Sequence, residues 1–434
     1  MKSTMTDNVS AGDNGKASSH IFWASYFGWL LDGYDTTIYA FVLVSALLAL
    51  GVSKPNIPHF GLMYFAIFLT GWGTSFIFGP LADKIGRMNI LGLSILLYAI
   101  GTFVSGLSFN LVEFAIARFI AGLGLGGEWF LGGTSVSETF PEGKRQIMAG
   151  RFHSGWYLGF IVAAVTTPIL LLFTNFRVIF MIGIIPAALL GYIRIKTKEP
   201  EVWKMKKDKH PDKMNMMLSL KTIFSKQYRR TTIILVLVMI PVVTGLYGGT
   251  LFAPTAIIHM SQTFKGGLAF PWNVVLGGTI ISFTTLVFCI LMPYMVRSIG
   301  RKATLTFFMI FMILGLVIDY GFIYSTNNLS LFLPLLALLG IGGADFSVFS
   351  LWVPEIYPTE ARAGGFGIIT TVARYVGAGL VFLIAYLAAV LNNLGYALAF
   401  ASIAFVIGII VLQFVHEDRN KELDRSVDLA PASE

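Results

Sequence analysis

One stretch constrains this chain more than any other: residues 113–145, EFAIARFIAGLGLGGEWFLGGTSVSETFPEGKR. It reads as a single glycine-laden apolar helix carrying three charges, Arg118, Glu128 and Glu138, at depths where lipid tolerates few. It ends at a Pro-Glu-Gly turn and a basic pair. Half the chain later, at an offset of 217, its skeleton returns inside GIGGADFSVFSLWVPEIYPTEAR: Glu128 falls on Asp345, Glu138 on Glu355, Pro141 on Pro358 and Arg145 on Arg362. A second echo, IGR at 85–87 and again at 299–301, has an offset of 214. Two echoes at nearly one offset mean a duplicated unit, so the chain is two homologous halves.

Composition decides what solvent these halves meet. Hydrophobic residues make up 56% of the 434 and charged residues 12%, against roughly 25% charged in an average soluble chain. The net charge of +8 does not point to nucleic acid, because the basic residues sit between apolar runs rather than along a binding face. That distribution belongs to a polytopic protein whose partner is the lipid bilayer. The lone Cys289 excludes an intrachain disulfide and reads as a small core residue. The leader 1–20 is polar, rich in Ser, Asn and Gly and without a cleavable signal pattern, and is expected to be a disordered tail.

A spanning helix needs roughly 20 apolar residues. Such runs fall at about 21–50, 58–82, 88–109, 111–138, 150–173 and 176–195 in the first half. In the second half they fall at about 230–260, 272–297, 303–324, 329–353, 364–390 and 393–416. The expected fold is therefore all-α: twelve transmembrane helices in two pseudo-symmetric six-helix bundles, 21–195 and 230–416. Between them, 196–229 is a Lys-rich linker with one or two surface helices, and 417–434 is a mixed-charge tail. With both termini inside, the outer loops hold only Lys54, Arg177 and Lys265, and Arg118 and Arg374 lie within spans. The other 26 of the 31 Lys and Arg fall on the inner side, which obeys the positive-inside rule and predicts a multi-pass protein of the cell membrane with cytoplasmic termini.

At a rise of 1.5 Å per residue, Glu128 and Asp345 each lie about 15 Å from the inner ends of their helices, and Asp32 and Arg374 roughly 16 Å. Four ionisable residues from both halves thus converge on the bilayer midplane. A charge there costs on the order of 3 kcal/mol, so such groups face a bundle interior or a wet cavity, and transporters built from repeats bind substrate and coupling ion at that depth. Asp32 and Asp35 are three residues apart on neighbouring parts of one helix face, where two carboxylates favour reversible protonation; the structural alternative is a salt-bridge partner and a helix-kink acceptor. Arg118 is placed to neutralise Asp35. Arg374 cannot shed its charge and needs an anion, either Asp345 alone or a substrate in exchange with it. Tyr39, Trp129, Tyr247, Phe346 and Tyr375 lie on the cavity-facing helices and suit an organic body, although aromatic stripes also serve packing. Asp319 reads as structural and near the outer surface, and His153 and His259 as solvated or capping residues near helix ends.

Gly122-x-Gly124-x-x-Gly127 matches the dinucleotide fingerprint in letters but follows no strand; small residues that let helices approach explain it better. The sequence holds no P-loop, zinc-ligand spacing or nucleophile motif, so an enzyme is unsupported, and no cofactor or metal is expected.

GPLADKIGR at 79–87 resembles the signature loop between helices 2 and 3 of the major facilitator superfamily, with Gly79, Asp83, Gly86 and Arg87 in place. RFIAGLGLGGE at 118–128, RSIGRK at 297–302 and PEIYPTEARAGGFG at 354–367 are similarly typical, and KEPEVW at 198–203 resembles the post-helix-6 motif of its sugar-porter branch. The resemblance implies that Glu138 and Glu355 pair with loop arginines such as Arg87 and Arg301, with Asp83, Arg145 and Arg362 alongside, to close the cytoplasmic side. Asp-Gly-Tyr-Asp in helix 1 resembles the aromatic-acid/proton symporters, Gly-Gly-Glu in helix 4 the metabolite/proton symporters and sialic acid carriers, and VARYVGA in helix 11 the first and last of these. What this implies is a monomeric proton-coupled symporter of a small organic anion, in all three branches a carboxylate. Asp32 and Glu128 would carry the proton, Asp35 would be held by Arg118, and Arg374 would bind substrate with Asp345 as resting counter-ion. The alternatives are a sugar/polyol or inorganic phosphate proton symporter, or a uniporter.

Overall fold

The computed structural model describes residues 3–53, 57–185, 197–210, 215–250, 252–263, 272–415 and 417. Among them all regular structure is helical, the form in which a chain satisfies its own backbone polar groups inside lipid. In chain order the first half contains α1 (Ser3–Ala49), α2 (Ile57–Thr74), α3 (Phe78–Ile85), α4 (Arg87–Leu107), α5 (Leu111–Thr139), α6 (Glu142–Phe173) and α7 (Phe176–Ile182). A linker follows with α8 (Glu201–Lys209) and α9 (Met216–Ile223). The second half contains α10 (Arg229–Gly245), α11 (Ala253–Thr263), α12 (Trp272–Ile299), α13 (Arg301–Gly315), α14 (Leu329–Gly342), α15 (Asp345–Ile356), α16 (Arg362–Leu391), α17 (Leu394–Phe400) and α18 (Ser402–Leu412).

Ten stretches of the described residues are long and apolar enough to cross a membrane. The other two of the twelve expected spans are the body of α1 and the run that α7 begins, of which 186–195 lie outside the described residues, as do Lys54, Lys265 and the tail 418–434. Several spans are interrupted. A 3₁₀ turn, Ser75–Ile77, joins α2 to α3, α14 breaks at Gly343 and Ala344 before α15, and π-helical turns occupy Leu246–Thr250 and Leu316–Ile323. Those two π turns meet, the Tyr320 hydroxyl donating to the Gly249 carbonyl at 2.5 Å.

The duplication is visible in the packing. In the first half α1 lies on α6, α2 on α5 and α4 on α5; in the second the corresponding helices make the same pairs, α10 on α16, α12 on α14 and α13 on α14. The halves join through α6 on α12 and its symmetry mate, α16 on α2 and α3. The repeated IGR turns explain themselves through backbone geometry: Gly86 has φ +132° and Gly300 φ +90°, where a side chain is strained. Gly122 and Gly126 belong to packing, since a Cβ on either would collide with backbone oxygens of Phe68 or Trp72 on α2.

Two boundaries differ from expectation. The leader is not disordered from Ser3 onward but continues α1 backward, because adding a residue to an existing helix needs no new nucleus and no proline intervenes. The fifth span begins at Glu142 rather than 150: its charged first turns extend past the apolar run that a hydropathy criterion detects.

Candidate functional site

At the centre lies a narrow cavity of about 20 Å³, room for about one water in this closed state, lined by Trp29, Trp72, Trp129, Trp156, His153, Tyr157, Tyr247, Phe346 and Arg374 among others. Its lining has the character of small-molecule sites, mostly apolar with a few convergent polar groups. The repeat builds its core. Trp129 and Phe346 correspond at the offset of 217 and meet across the halves with ring centroids 5.2 Å apart. Arg374 lies with its guanidinium 4.4 Å from the Trp72 ring and 5.6 Å from that of Trp129. It is almost fully buried, and its Nη1 has no hydrogen-bond partner among the described residues.

Adjacent helical residues point about 100° apart, and this sorts the predicted site residues. Trp129 faces the cavity, so Glu128 turns away from it toward α1, close enough that a Cβ on Gly28 would collide with its carboxylate. Both Glu128 oxygens are buried without hydrogen-bond partners among the described residues, and Asp32 is its electrostatic neighbour. Asp32 accepts from Thr36 Oγ1 at 3.3 Å and feels the charges of both Asp35 and Arg374. Asp35 accepts from Thr102 Oγ1 at 2.9 Å and stands 3.8 Å from Arg118 Nη2, an ion-pair rather than a hydrogen-bond distance. The Arg118 guanidinium is caged by Tyr39, Phe68 and Phe180 at 4.6, 5.2 and 5.6 Å.

Three expectations are corrected here. Asp345 does not face Arg374: with Phe346 in the cavity, it is turned toward Cys289 on α12 and Tyr157 on α6, and the carboxylate acting on Arg374 is Asp32. Tyr39 is part of the Arg118 cage rather than the cavity wall. Tyr375 lies half exposed on the seam between α16 and α2, its hydroxyl 3.2 Å from the Thr70 carbonyl and 3.4 Å from Thr74 Oγ1, because it follows Arg374 by one residue and so leaves the cavity face. Asp319 is wholly buried.

Trp29, Trp72, Trp156, Tyr157 and His153 escaped the sequence reading. His153 looked terminal only because the helix was started at 150. Trp29 carried a usable signal, since it precedes Asp32 by three residues and therefore shares its face.

At the end of the bundle carrying the Gly86 and Gly300 turns, the predicted gating residues form two ion clusters related by the repeat. Glu138 receives Arg87 from its own half at 3.0 Å and Arg362 from the other at 2.9 Å. Glu355 receives Arg301 from its own half at 2.6 Å and Arg145 from the other at 3.6 Å. Asp83 pairs with Arg87 at 2.9 Å and accepts from the backbone N–H groups of Ala363 and Gly364 at 3.2 and 3.0 Å. Both halves are thus held shut at this end. The linker adds to the closure: Trp203 Nε1 donates to the Asp83 carbonyl at 2.9 Å and Ser219 Oγ to its carboxylate at 2.9 Å. Glu199 caps the N-terminus of α4 through the Arg87, Met88 and Asn89 N–H groups, and Glu417 does the same for α13 through Arg301 and Lys302. Burial pushes the Glu199 carboxyl up, against the lowering effect of those donors. Because Glu138 is shared by two buried arginines, Glu138→Gln should destabilise this state by about 3–5 kcal/mol, the cost of leaving buried charges unpaired. Denaturant unfolding in detergent measures it, and a change below 1 kcal/mol contradicts the assignment.

Two pseudo-symmetric helical bundles around a central cavity, closed at one end by ion pairs, are the architecture of a membrane transporter built from repeats. The chain belongs to the Major Facilitator Superfamily, whose model matches residues 25–380. It is 26% identical over 407 residues to a probable 4-methylmuconolactone transporter of Cupriavidus pinatubonensis, covering 92% of this chain and 90% of the relative. It is likewise 26% identical over 401 residues to the sialic acid transporter NanX of Escherichia coli, covering 90% and 92%. Among solved structures, the proton:xylose symporter XylE has the same fold, with a TM-score of 0.74 at 18% identity over 93% of this chain and 97% of that one.

Proposed function

We propose that this transporter carries a small organic carboxylate together with a proton across the cell membrane, acting as a monomer with both termini cytoplasmic. The observation that carries the reading is Arg374: a permanent cation in an aromatic cavity, with a free donor edge and Asp32 as its carboxylate neighbour. Among the described residues that line the cavity, none is Asn, Gln or Lys. A polyol needs groups that both donate and accept, as amides do, so sugars are disfavoured, and phosphate would have Arg374 as its one cationic ligand in that lining. The relative named for sialic acid carries an acid by name.

The coupling is a competition. Ionised Asp32 neutralises Arg374; protonated Asp32 leaves it for the substrate carboxylate. Either neutral arrangement lets the cavity close around it, whereas a net charge in it is costly. Asp35, held ionised by Arg118, is a like charge beside Asp32 and so favours its protonated form, and Glu128, stacked behind Asp32, is the second proton site. The clusters at Glu138 and Glu355 break and reform as the halves rock, a two-state element of discrete ion pairs.

Purified protein in proteoliposomes tests this directly. With the interior one pH unit more alkaline, a labelled carboxylate should accumulate about tenfold per coupled proton, one decade corresponding to 1.36 kcal/mol. Equal internal and external concentrations with or without the gradient would instead identify a uniporter.

A further inference from the structure

His153 faces the same cavity as Arg374 and has no part in the mechanism above. It is buried, packed among Trp29, Trp129, Tyr157 and Phe346 with ring centroids 5.8, 5.8, 5.8 and 6.2 Å away. One of its nitrogens ends a hydrogen-bonded chain that crosses between the halves. An indole nitrogen can only donate, so in the 2.6 Å contact Trp129 Nε1 gives its hydrogen to Ser350 Oγ. The serine's own proton then has two acceptors within reach, His153 Nδ1 at 3.4 Å and, at the limit of 3.5 Å, the Phe346 carbonyl. Donation to Nδ1 makes that nitrogen an acceptor and places the imidazole proton on Nε2, the nitrogen at the other side of the ring.

We propose that His153 is a specificity residue that presents Nε2–H to the substrate, and that the substrate is a flat organic acid with a hydrogen-bond acceptor on the side away from its carboxylate. This rests on the reading that Arg374 takes the carboxylate. The flat body follows from the walls: Trp29, Trp72, Trp129 and Trp156 line the space, and indole faces favour planar π systems. The second acceptor follows from the chain Trp129–Ser350–His153, in which the serine proton on the nearer acceptor, Nδ1, leaves Nε2 as the donor. Since Trp129 and Ser350 belong to opposite halves, the donor is held in place only while the halves meet here.

The test uses the intact protein in detergent and three probes: benzoate, 4-formylbenzoate, which adds an acceptor, and 4-aminobenzoate, which adds a donor. Binding is read by quenching of tryptophan fluorescence. The wild type should bind 4-formylbenzoate about tenfold more tightly than benzoate, the worth of one buried hydrogen bond. His153→Phe should erase that difference, so that benzoate and 4-formylbenzoate bind it within about twofold of each other, and His153→Gln, which keeps an amide donor, should restore part of it. Discrimination that survives in His153→Phe, a wild-type preference for 4-aminobenzoate, or no binding of any probe at millimolar concentration overturns the proposal. In ¹⁵N spectra of histidine-labelled protein, the signal absent from His153→Gln should report an unprotonated Nδ1; a protonated Nδ1 with a bare Nε2 overturns it independently. Arg374→Ala separates the two readings, because it should abolish binding of every probe, and retained benzoate binding there removes the carboxylate assignment while leaving the histidine tautomer to stand or fall alone.

Discussion

Arg374→Ala should raise the KM for the transported carboxylate by about 100-fold or abolish measurable uptake. Charge-assisted hydrogen bonds contribute about 1.5–3 kcal/mol, and in a cavity lined by indole and phenyl rings a carboxylate that loses its cation regains no water to replace it. The guanidinium also packs on Trp72 at 4.4 Å, so the alanine variant loses contact area as well as charge. Arg374→Lys divides the two effects: the ammonium keeps the charge but not the planar fork, so it should recover binding partly, with a KM between wild type and alanine. Uptake is measured in proteoliposomes after thermal unfolding shows each variant folded. Wild-type KM in a folded Arg374→Ala protein would place this residue in the architecture rather than in recognition.

The fold was almost wholly legible before any coordinates. Repeats at offsets of 217 and 214, twelve apolar runs and the distribution of Lys and Arg all constrain the same quantity, the path of the chain through lipid, and they agree. The ion clusters were legible for the same reason: Arg87 and Glu138 with their mates Arg301 and Glu355, and Arg145 with its mate Arg362, lie at helix ends beside turns whose spacing the repeat fixes. The central site was only partly so. Depth along a helix can be counted from the sequence, and Asp32, Glu128, Asp345 and Arg374 are all buried inside the protein. Direction around the helix cannot, once a helix is interrupted. Asp345 follows the break at Gly343 and Ala344, and that break, together with the choice of Phe346 for the cavity, turned its carboxylate toward Cys289 instead of Arg374. Tyr375 and Tyr39 were misplaced by the same uncertainty of one residue in 3.6. His153 was lost for a different reason, since charged residues concealed the first two turns or so of α6 from a criterion that recognises apolar runs.

These corrections sharpen what Asp32 must do, and Asp32→Asn is the second large effect. Had Asp345 been the counter-ion of Arg374, removing the charge of Asp32 would have touched the proton path alone. With Asp32 itself opposing Arg374, the amide removes both the proton site and the competitor for the substrate. The expected variant therefore binds carboxylate at least as tightly as wild type, with an affinity that no longer weakens as the pH rises, because no ionising group is left to reclaim Arg374. It exchanges labelled for unlabelled substrate across the membrane, since the neutral substrate–arginine pair can still be enclosed. Accumulation driven by a gradient of one pH unit, about tenfold in the wild type, falls to unity. Exchange and accumulation measured on the same vesicles give the result. Concentration of substrate by Asp32→Asn as in wild type would leave Glu128 as the coupling group, and loss of exchange together with accumulation would show that the carboxylate is needed for the cavity to close at all.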